Sequence, residues 1–406
     1  MRSRLQSIIL DDLCEQIIDS EHKTAPIQLS GIPYVRTPNV KNTRLILDDA
    51  HRVSEETYKE WTKRIEPKPY DIILCREAPV GDSAMILPNQ KICLGQRTVL
   101  IRANKEKIYP KYLLFLLNSP NVKHELLSNS GGTHVDHLNM KDIRSLNVEI
   151  FHSYDEQKII GDLLFNLNSL IYSKEKQNQI LEKTIQTIFK SWFVDFDGVT
   201  EFDDSELGKI PKGWQVGTFG EFAEIINGFA FKSEDYTDEG IFLLRTRNFS
   251  KTGYVEKDEA VYLPLNFYEK FENLQLKKFD ILLVMVGASV GNQGFVTSNA
   301  LPALQNQNMW NIRAKTQDHQ LFLRHLVRKI VQENMGTATG SARDFFRKDY
   351  FRNIKFVEPS YTIITKFDNI ITQFYKKLDN NILEIKILEQ TKELLLPKLM
   401  SGEIRV

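Results

Sequence analysis

The sequence predicts an α+β protein in which two similar modules are joined by a pair of long antiparallel helices. Three observations predict this fold class. Short apolar runs and glycine-containing turns recur in the same order in both halves, two long segments show heptad spacing, and a stretch rich in glycine, proline and charge separates the halves. Similarity that keeps its order along a chain indicates duplication of one module. The length of 406 residues leaves room for two or three domains.

The first long segment, residues 155–190, has the spacing of a helix that pairs with another helix. It contains no proline, and its apolar residues keep the a and d positions of a heptad. These positions hold Leu164, Leu167, Ile171, Leu181, Ile185 and Ile188. The two remaining seam positions hold Lys174 and Asn178, and a polar seam residue weakens the pairing but can fix its register. We predict one helix of roughly 50 Å, at about 1.5 Å per residue.

The predicted partner helix lies near the end of the sequence. Its apolar seam consists of Ile371, Phe374, Leu378, Ile385, Leu388 and Leu395, and Asn381 and Lys392 interrupt it. The first helix leads from one module to the other and the second leaves the second module, so the seams can meet only if the helices run antiparallel. The two halves are then related by a pseudo-twofold axis. The alternative is that each segment is an ordinary core helix of a larger domain.

The modules themselves share short buried strands and turns at a nearly constant offset. Residues 31–40 read as a turn, a strand and a polar exit, and residues 71–74 read as a second strand. Residues 240–248 and 280–283 repeat these patterns 209 positions later. We therefore predict a first module over 1–152, a first long helix and its end over 153–198, a linker over 199–210, a second module over 211–358, and a second long helix with its tail over 359–406.

Composition bounds the class of protein. The charged content is 26%, and no apolar run reaches the roughly 18 residues of a membrane span. Three widely spaced cysteines suggest a reducing cytoplasm and no metal site. The net charge of zero gives no hint of nucleic acid, although a local basic patch is compatible with it.

The sequence carries no recognisable catalytic, cofactor-binding or metal-binding constellation. The Asp/Asn-Pro-Pro-Tyr motif of enzymes that methylate amino groups of DNA is missing. The glycine pairs at 217–220 and 287–291 match neither a dinucleotide fingerprint nor a phosphate loop. His134, Asp136 and His137 could suggest a metal, but they have no nearby cysteine and no counterpart in the second half, so we expect a polar loop.

The predicted architecture is itself a functional signal. Two similar but divergent modules on a rigid spacer suit the reading of two points on a long object, and duplex DNA is the obvious one. Because the modules differ in sequence, the two sites need not be identical. Two alternatives belong to other classes: a freestanding DNA-modifying enzyme, which the missing motifs disfavour, and a coiled-coil scaffold without DNA contact.

Three motifs also resemble a known family. They are Ser-Trp-Phe-Val-Asp-Phe at 191–196, Leu-Gly-Lys-Ile-Pro-Lys-Gly-Trp at 207–214, and Leu-Leu-Pro-Lys-Leu-Met-Ser-Gly-Glu-Ile at 395–404. In this order and around duplicated modules, the chain resembles the specificity subunit of type I restriction–modification systems over essentially its whole length.

The resemblance implies two target-recognition domains, each reading half of a bipartite, asymmetric DNA target. It also implies two methylation subunits that use S-adenosylmethionine and two restriction subunits that use ATP and Mg²⁺. No cofactor is expected in this chain itself.

Candidate DNA-binding residues follow from comparing the modules, because residues shared by both cannot easily distinguish different half-sites. We assign to phosphate positioning or scaffold the shared turn residues Arg36, Thr37, Asn39, Arg245, Thr246 and Asn248, and we add the adjacent Arg247 as a DNA-binding candidate. The shared Gln96 and Gln307 are expected to be structural. Base readout is expected where the modules diverge, at Arg76, Arg97, His134, His137, Gln293, Asn308 and Arg343. Arginine suits guanine, and asparagine or glutamine suits adenine.

Overall fold

The structure is a computed structural model, and it describes residues 4–128, 137–335 and 347–406. Two helices of 40 residues each dominate the helical content of these ranges. We number the helices in chain order as α1 (Glu55–Trp61), α2 (Pro110–Leu117), α3 (Pro120–Ser128), α4 (Met140–Arg144), α5 (Tyr154–Phe193), α6 (Phe219–Phe222), α7 (Asn266–Lys270), α8 (Gln320–Met335), α9 (Lys348–Arg352) and α10 (Tyr361–Met400).

Within the described residues, the strands are short and fall into two sets of eleven. The first set is β1 (Leu5–Ile9), β2 (Cys14–Asp19), β3 (Ile32–Val35), β4 (Val40–Lys41), β5 (Arg44–Leu45), β6 (His51–Val53), β7 (Ile72–Cys75), β8 (Ser83–Met85), β9 (Cys93–Leu94), β10 (Thr98–Ala103) and β11 (Asn147–Phe151). The second is β12 (Phe202–Ser205), β13 (Gly208–Pro211), β14 (Gln215–Thr218), β15 (Ala223–Asn227), β16 (Ile241–Leu244), β17 (Tyr262–Leu263), β18 (Ile281–Val284), β19 (Gln293–Phe295), β20 (Ala303–Gln305), β21 (Met309–Ala314) and β22 (Lys355–Glu358).

A four-stranded antiparallel sheet in the order β2-β10-β7-β8 forms the centre of the first module. Strand β7 is buried along its whole length. Because successive side chains of a strand point to opposite faces, Ile72 and Leu74 pack into one hydrophobic core while Ile73 and Cys75 pack into another. Burial on both faces explains why this strand is a continuous apolar run.

The second module repeats this sheet in the order β15-β21-β18-β19. The registers also match, since Ile101 pairs with Ile72 in the first module and Ile312 pairs with Ile281 in the second. Smaller sheets repeat as well: β6-β3-β9 and β17-β16-β20 each contain one parallel and one antiparallel pair. The predicted α+β class and the internal duplication are confirmed.

The chain forms two compact units, and the boundary between them falls inside each long helix. One unit comprises Met1–Tyr172 and Ile387–Val406, and the other comprises Ser173–Lys386. Each unit therefore contains one module together with a portion of α5 and a portion of α10. The predicted division into modules, helices and linker separates the chain differently, since it assigns each long helix to a segment of its own.

The helix pair is antiparallel within the Ser173–Lys386 unit, and polar residues meet in its seam. Asn381 is fully buried and donates from Nδ2 to Oδ1 of Asn178 at 2.9 Å and to Oε1 of Gln177 at 3.3 Å. Lys174 forms an ion pair with Glu384. The predicted polar interruptions Asn178 and Asn381 are thus partners, because the chosen register places their amides opposite each other.

The unit built from Met1–Tyr172 and Ile387–Val406 shows the same direction of pairing. Lys392 donates to Oδ1 of Asn168 at 3.4 Å. Further along, Leu399 of α10 packs in the same core as Ile160 and Leu164 of α5. The later a contacting residue stands in α10, the earlier its partner stands in α5. The two helices therefore run antiparallel here, as the seam pattern predicted.

A β-hairpin made of β12 and β13 spans 202–211, almost all of it within the stretch 199–210, for which the sequence predicted only a linker. Its acidic side chains hold the surrounding chain: Glu206 accepts from Lys355 at 2.5 Å, and Asp203 accepts from the backbone N–H of Gly213 at 3.4 Å. The sequence analysis did not predict these strands, because most of their residues are polar and exposed and show no alternation of apolar and polar residues.

The cysteines are buried or half-buried free thiols. Burial raises the pKa of Cys14, Cys75 and Cys93 to about 12, so each is protonated and unreactive near neutral pH. Across the described ranges, no helix combines the length and the hydropathy needed to cross a membrane.

Candidate nucleic-acid interface

The turn that both modules share is built by its asparagines. Asn39 accepts the backbone N–H of Arg36 at 3.0 Å and donates to the carbonyl oxygen of Ile46 at 3.3 Å. Asn248 accepts the backbone N–H of Arg245 at 2.9 Å and donates to the carbonyl oxygen of Asp258 at 2.9 Å. Both asparagines are buried, so they shape a 3₁₀ turn that follows β3 or β16.

The arginine that opens this turn, Arg36 in the first module and Arg245 in the second, is half-buried in both modules. The Nε atoms of Arg36 and Arg245 are buried, and neither has a hydrogen-bond partner among the described residues. The guanidinium of Arg245 donates from Nη2 to the carbonyl oxygen of Glu259 at 2.6 Å, and burial together with the neighbouring Arg247 lowers the pKa of Arg245. A cation with unsatisfied donors favours an approaching anion, because desolvation without a partner is costly.

The other residues of this turn differ in exposure. Thr37 is buried and Thr246 is half-buried. Arg247 is exposed and forms an ion pair with Glu259 at 3.3 Å. Among these three residues, Arg247 alone presents an exposed charge.

At the end of the first module's four-stranded sheet, the structure brings together three of the predicted base-reading residues. Asp19, Leu74 and Val99 are neighbours in register, so the residues that follow β2 and β7 and precede β10 share one edge of the sheet. Three side chains lie at this edge: Arg76, Arg97 and His137. Together with Asp19 and Glu77 they form a group that we call the first strand-end cluster.

Within this cluster Arg76 points inward. It is only 6% exposed, it forms an ion pair with Asp19, and it donates from Nε to the carbonyl oxygen of Leu138 at 2.9 Å. Its Nη2 lies 2.7 Å from Nε2 of His137. These contacts use its donors to tie the chain after β7 to residues 137 and 138.

Arg97 points outward in the same cluster. Its side chain is 63% exposed, and its Nε lies 2.8 Å from Oε2 of Glu77. The other oxygen of Glu77 lies 3.4 Å from Nδ1 of His137. Two carboxylates therefore balance two arginines here, and Arg97 carries the outward-facing charge.

In the second module, the same edge of the sheet is largely uncharged. Asn308 is exposed at the turn before β21, and Gln293 begins β19 beside Leu283. Met285 and Val286 occupy the positions of Arg76 and Glu77, and Val286 is 58% exposed. The two modules therefore present different chemistry on matching backbones.

Two predicted residues, His134 and Arg343, lie outside the described residues. The motif of His134, Asp136 and His137, which the sequence analysis weighed as a metal site, also lies largely outside the described residues. Within the ranges that the structure describes, no three His, Cys, Asp or Glu side chains form a group able to hold a metal ion.

Sequence reasoning missed Asp19 and Glu77, although both hold predicted residues in place. Asp19 and Arg76 are 57 residues apart in the sequence, and no periodic pattern connects them. The sequence feature that could have identified Asp19 and Glu77 was their position at the ends of apolar strands. Gln96 was expected to be structural, and its Nε2 donates to the carbonyl oxygen of His22 at 3.0 Å.

Comparison with known proteins identifies the family to which this chain belongs. The sequence profile of the type I restriction modification DNA specificity domain matches residues 6–183 and 211–394, one copy in each half. The chain belongs to this family of type I restriction–modification DNA specificity proteins.

Individual relatives agree with this assignment. The type I restriction enzyme MjaIX specificity subunit of Methanocaldococcus jannaschii is 26% identical in an alignment 388 residues long that covers 92% of this chain and 87% of that protein. The HindI specificity subunit of Haemophilus influenzae is 22% identical and covers 83% of this chain and 87% of its own length. The function is accordingly that of a specificity subunit of a type I restriction–modification system, which acts on DNA together with partner subunits.

A solved structure supports the fold. The crystal structure of the type I restriction–modification system S subunit from M. genitalium aligns with a TM-score of 0.66 over 98% of this chain and 96% of that one. Sequence identity in this alignment is 14%, so the likeness concerns the fold alone.

Proposed function

We propose that each module reads one half of a bipartite, asymmetric DNA target. The observation that carries this proposal is the contrast between the two sheet ends. The backbones match, but Arg97 and Glu77 stand in the first module where Asn308 and Val286 stand in the second. A duplicated reader whose reading edges differ is suited to two different half-sites, because side chains at such edges select bases through their donors and acceptors.

The shared turns then contribute affinity rather than selectivity. Arg36 and Arg245 occupy equivalent positions and carry the same charge, so they suit the phosphate backbone, which is the same in every sequence. Asn39 and Asn248 support this role by shaping the turn from inside.

The chemistry of modification and restriction belongs, in this proposal, to other chains. We expect two methylation subunits with S-adenosylmethionine and two restriction subunits with ATP and Mg²⁺, acting in the cytoplasm. The sequence supports this division because it has no methyl-transfer motif, and the relatives bear the name of specificity subunits.

An exchange of modules tests the proposal. Residues 211–358 would be replaced by the second module of another specificity subunit, and the full chain would be co-expressed with its methylation subunits. Sequencing of methylated bases in cellular DNA should show one half-site changed and the other retained. A change in both half-sites would show that the modules are not independent readers.

A second measurement distinguishes a DNA reader from a scaffold. Binding of the full chain to duplex DNA should weaken as salt increases, because each phosphate contact releases counterions. Duplex binding that is undetectable at low salt would favour the scaffold and contradict the proposal.

A further inference from the structure

The turns that precede β10 and β21 each hold one residue at the equivalent structural position of their module. The backbone carbonyl oxygen of Arg97 accepts the N–H of Arg76 at 2.9 Å, and that of Asn308 accepts the N–H of Met285 at 3.2 Å. Directly after them, Thr98 pairs with Cys75 and Met309 pairs with Val284. Arg97 and Asn308 are therefore equivalent, although their offset is 211 residues while that of β7 and β18 is 209.

Both residues have a left-handed backbone. The φ angle is 67° at Arg97 and 70° at Asn308. Residues other than glycine seldom adopt this conformation, and asparagine does so more readily than arginine. A retained left-handed turn at the tip of a reading edge fixes the direction in which each side chain leaves the sheet.

The polar ends of both side chains are available for a ligand. The amide of Asn308 is exposed and forms no hydrogen bond to any residue in the described ranges. At Arg97 the Nε atom is engaged by Glu77, while neither Nη atom donates to a described residue. A guanidinium held through Nε presents its two Nη groups as a fork.

The surroundings of the two residues fit their chemistry. Glu77 fixes the arginine and is itself close to His137, at 3.4 Å. The second module has Val286 at the position of Glu77, where an uncharged amide requires no carboxylate. A forked arginine matches the O6 and N7 acceptors of guanine, and an asparagine amide matches the N6 donor and N7 acceptor of adenine.

We infer that Arg97 and Asn308 are the corresponding base-reading residues of the two modules, that Arg97 selects a guanine and Asn308 an adenine, and that Glu77 positions Arg97. This inference rests on the proposed function. It assigns one base in each half-site to one side chain, and it assigns Glu77 an effect on selectivity that acts only through Arg97.

Selection from a library of random duplexes tests the assignment. The full chain, assembled with its methylation subunits, would be used as wild type and with Arg97→Asn or Asn308→Arg. Wild type should enrich a guanine in one half-site and an adenine in the other. Arg97→Asn should change that guanine to adenine, and Asn308→Arg should change that adenine to guanine, each without altering the other half-site. Discrimination at each position should be about 10- to 100-fold.

Glu77→Gln tests the positioning role. This variant keeps Arg97 but loses the carboxylate, so selectivity should fall about tenfold at the same guanine while the other positions remain unchanged. Arg144→Asn is a control, because Arg144 is a half-buried arginine that is also paired with a carboxylate, Asp11, while its hydrogen bonds go to Asp11 and to the carbonyl oxygen of Ile17 and not to a residue of the first strand-end cluster. The control should leave every position unchanged.

The possible outcomes separate this inference from the proposed function. If wild type enriches no sequence, the proposed function fails. If wild type enriches a bipartite sequence but the exchanged residues leave the preferred bases unchanged, or if they alter the opposite half-site, the inference is overturned and the proposed function stands. If one exchange variant does not fold, the other and Glu77→Gln decide the same question.

Discussion

Gly161 and Asp368 occupy equivalent positions of the two long helices, and each lies against the first turn of a module helix. A Cβ atom at Gly161 would come within 2.7 Å of the backbone nitrogen of Tyr112 in α2. The carboxylate of Asp368 accepts the backbone N–H groups of Leu321 at 3.0 Å and Phe322 at 2.8 Å in α8. One module therefore packs backbone against backbone, and the other places a carboxylate between helix and module.

Gly161→Ala should destabilise the protein even though alanine favours a helix. The added methyl group meets backbone atoms that cannot rotate away, and such overpacking costs about 1–3 kcal/mol, which exceeds the roughly 1 kcal/mol gained in helix propensity. The measurement is urea unfolding of the full chain. Ser169→Ala, at an exposed position of the same helix, should change the free energy of unfolding by less than about 0.5 kcal/mol. A more stable Gly161→Ala variant would contradict the close approach.

The carboxylate of Asp368 should make stability depend on pH. Burial raises its pKa from 3.8 to about 7, although the two N–H groups act in the opposite direction. Because the folded-state pKa lies above the unfolded one, this group's contribution to the free energy of unfolding is largest below about pH 4 and is lost as pH rises towards 7. The slope is at most about 1.4 kcal/mol per pH unit. Urea unfolding at several pH values should give a flatter profile for Asp368→Asn, and equal profiles would contradict this assignment.

Glu182 of α5 should be essential for the stability of the Ser173–Lys386 unit. It accepts from Nη2 of Arg324 at 3.0 Å, and this arginine is 9% exposed and lies 3.8 Å from the ring centroid of Phe295. Glu182→Ala would leave a buried cation unpaired, at a cost of about 3–5 kcal/mol. Thermal or urea unfolding measures the loss. The neighbouring exposed Lys183→Ala is the control, and a loss below about 1 kcal/mol for Glu182→Ala would show that solvent replaces the carboxylate.

The asparagine pair in the seam should show opposite effects of single and double substitution. Asn178→Leu would remove the nearer of the two acceptors of the buried Asn381 amide and leave only Gln177 at 3.3 Å. Because the Oδ1 of Asn381 already lacks a partner among the described residues, the loss should cost about 1–3 kcal/mol. The double variant with Asn381→Leu should be at least as stable as wild type, since apolar seam residues pair more strongly. A double-mutant cycle by urea unfolding measures the coupling. Additive losses would show that the two amides act independently.

The shared arginines should affect affinity without affecting selectivity. Arg36→Ala and Arg245→Ala each remove one phosphate contact in the proposed function, so each should weaken binding to all duplexes alike and reduce the slope of log K against log salt by about one. Titration of target and scrambled duplexes at several salt concentrations measures this. The idea fails if either variant changes the preferred base while overall affinity stays the same.

The sequence alone determined the features that depend on local periodicity. Heptad spacing over 155–190 and within 359–406 predicted two long helices, which extend over Tyr154–Phe193 and Tyr361–Met400 in the structure. Continuous apolar runs predicted the strands around Ile72 and Ile281. The duplication was visible because both copies keep the same order of strands and turns. Such signals lie within a few residues of one another, so they can be read without knowing what any segment contacts.

The tertiary structure decided which of the candidate side chains face outward. Arg76 and Arg97 looked alike as divergent arginines near strand ends, but Arg76 is turned inward by Asp19 and Leu138, whereas Arg97 is held outward by Glu77. These partners are far apart along the chain or lie on different strands, and only the register of the sheet brings them together. Gly161 and Asp368 show the same limit of sequence information. Their equivalence follows from the duplication, but what each residue contacts depends on how closely its module packs against the helix.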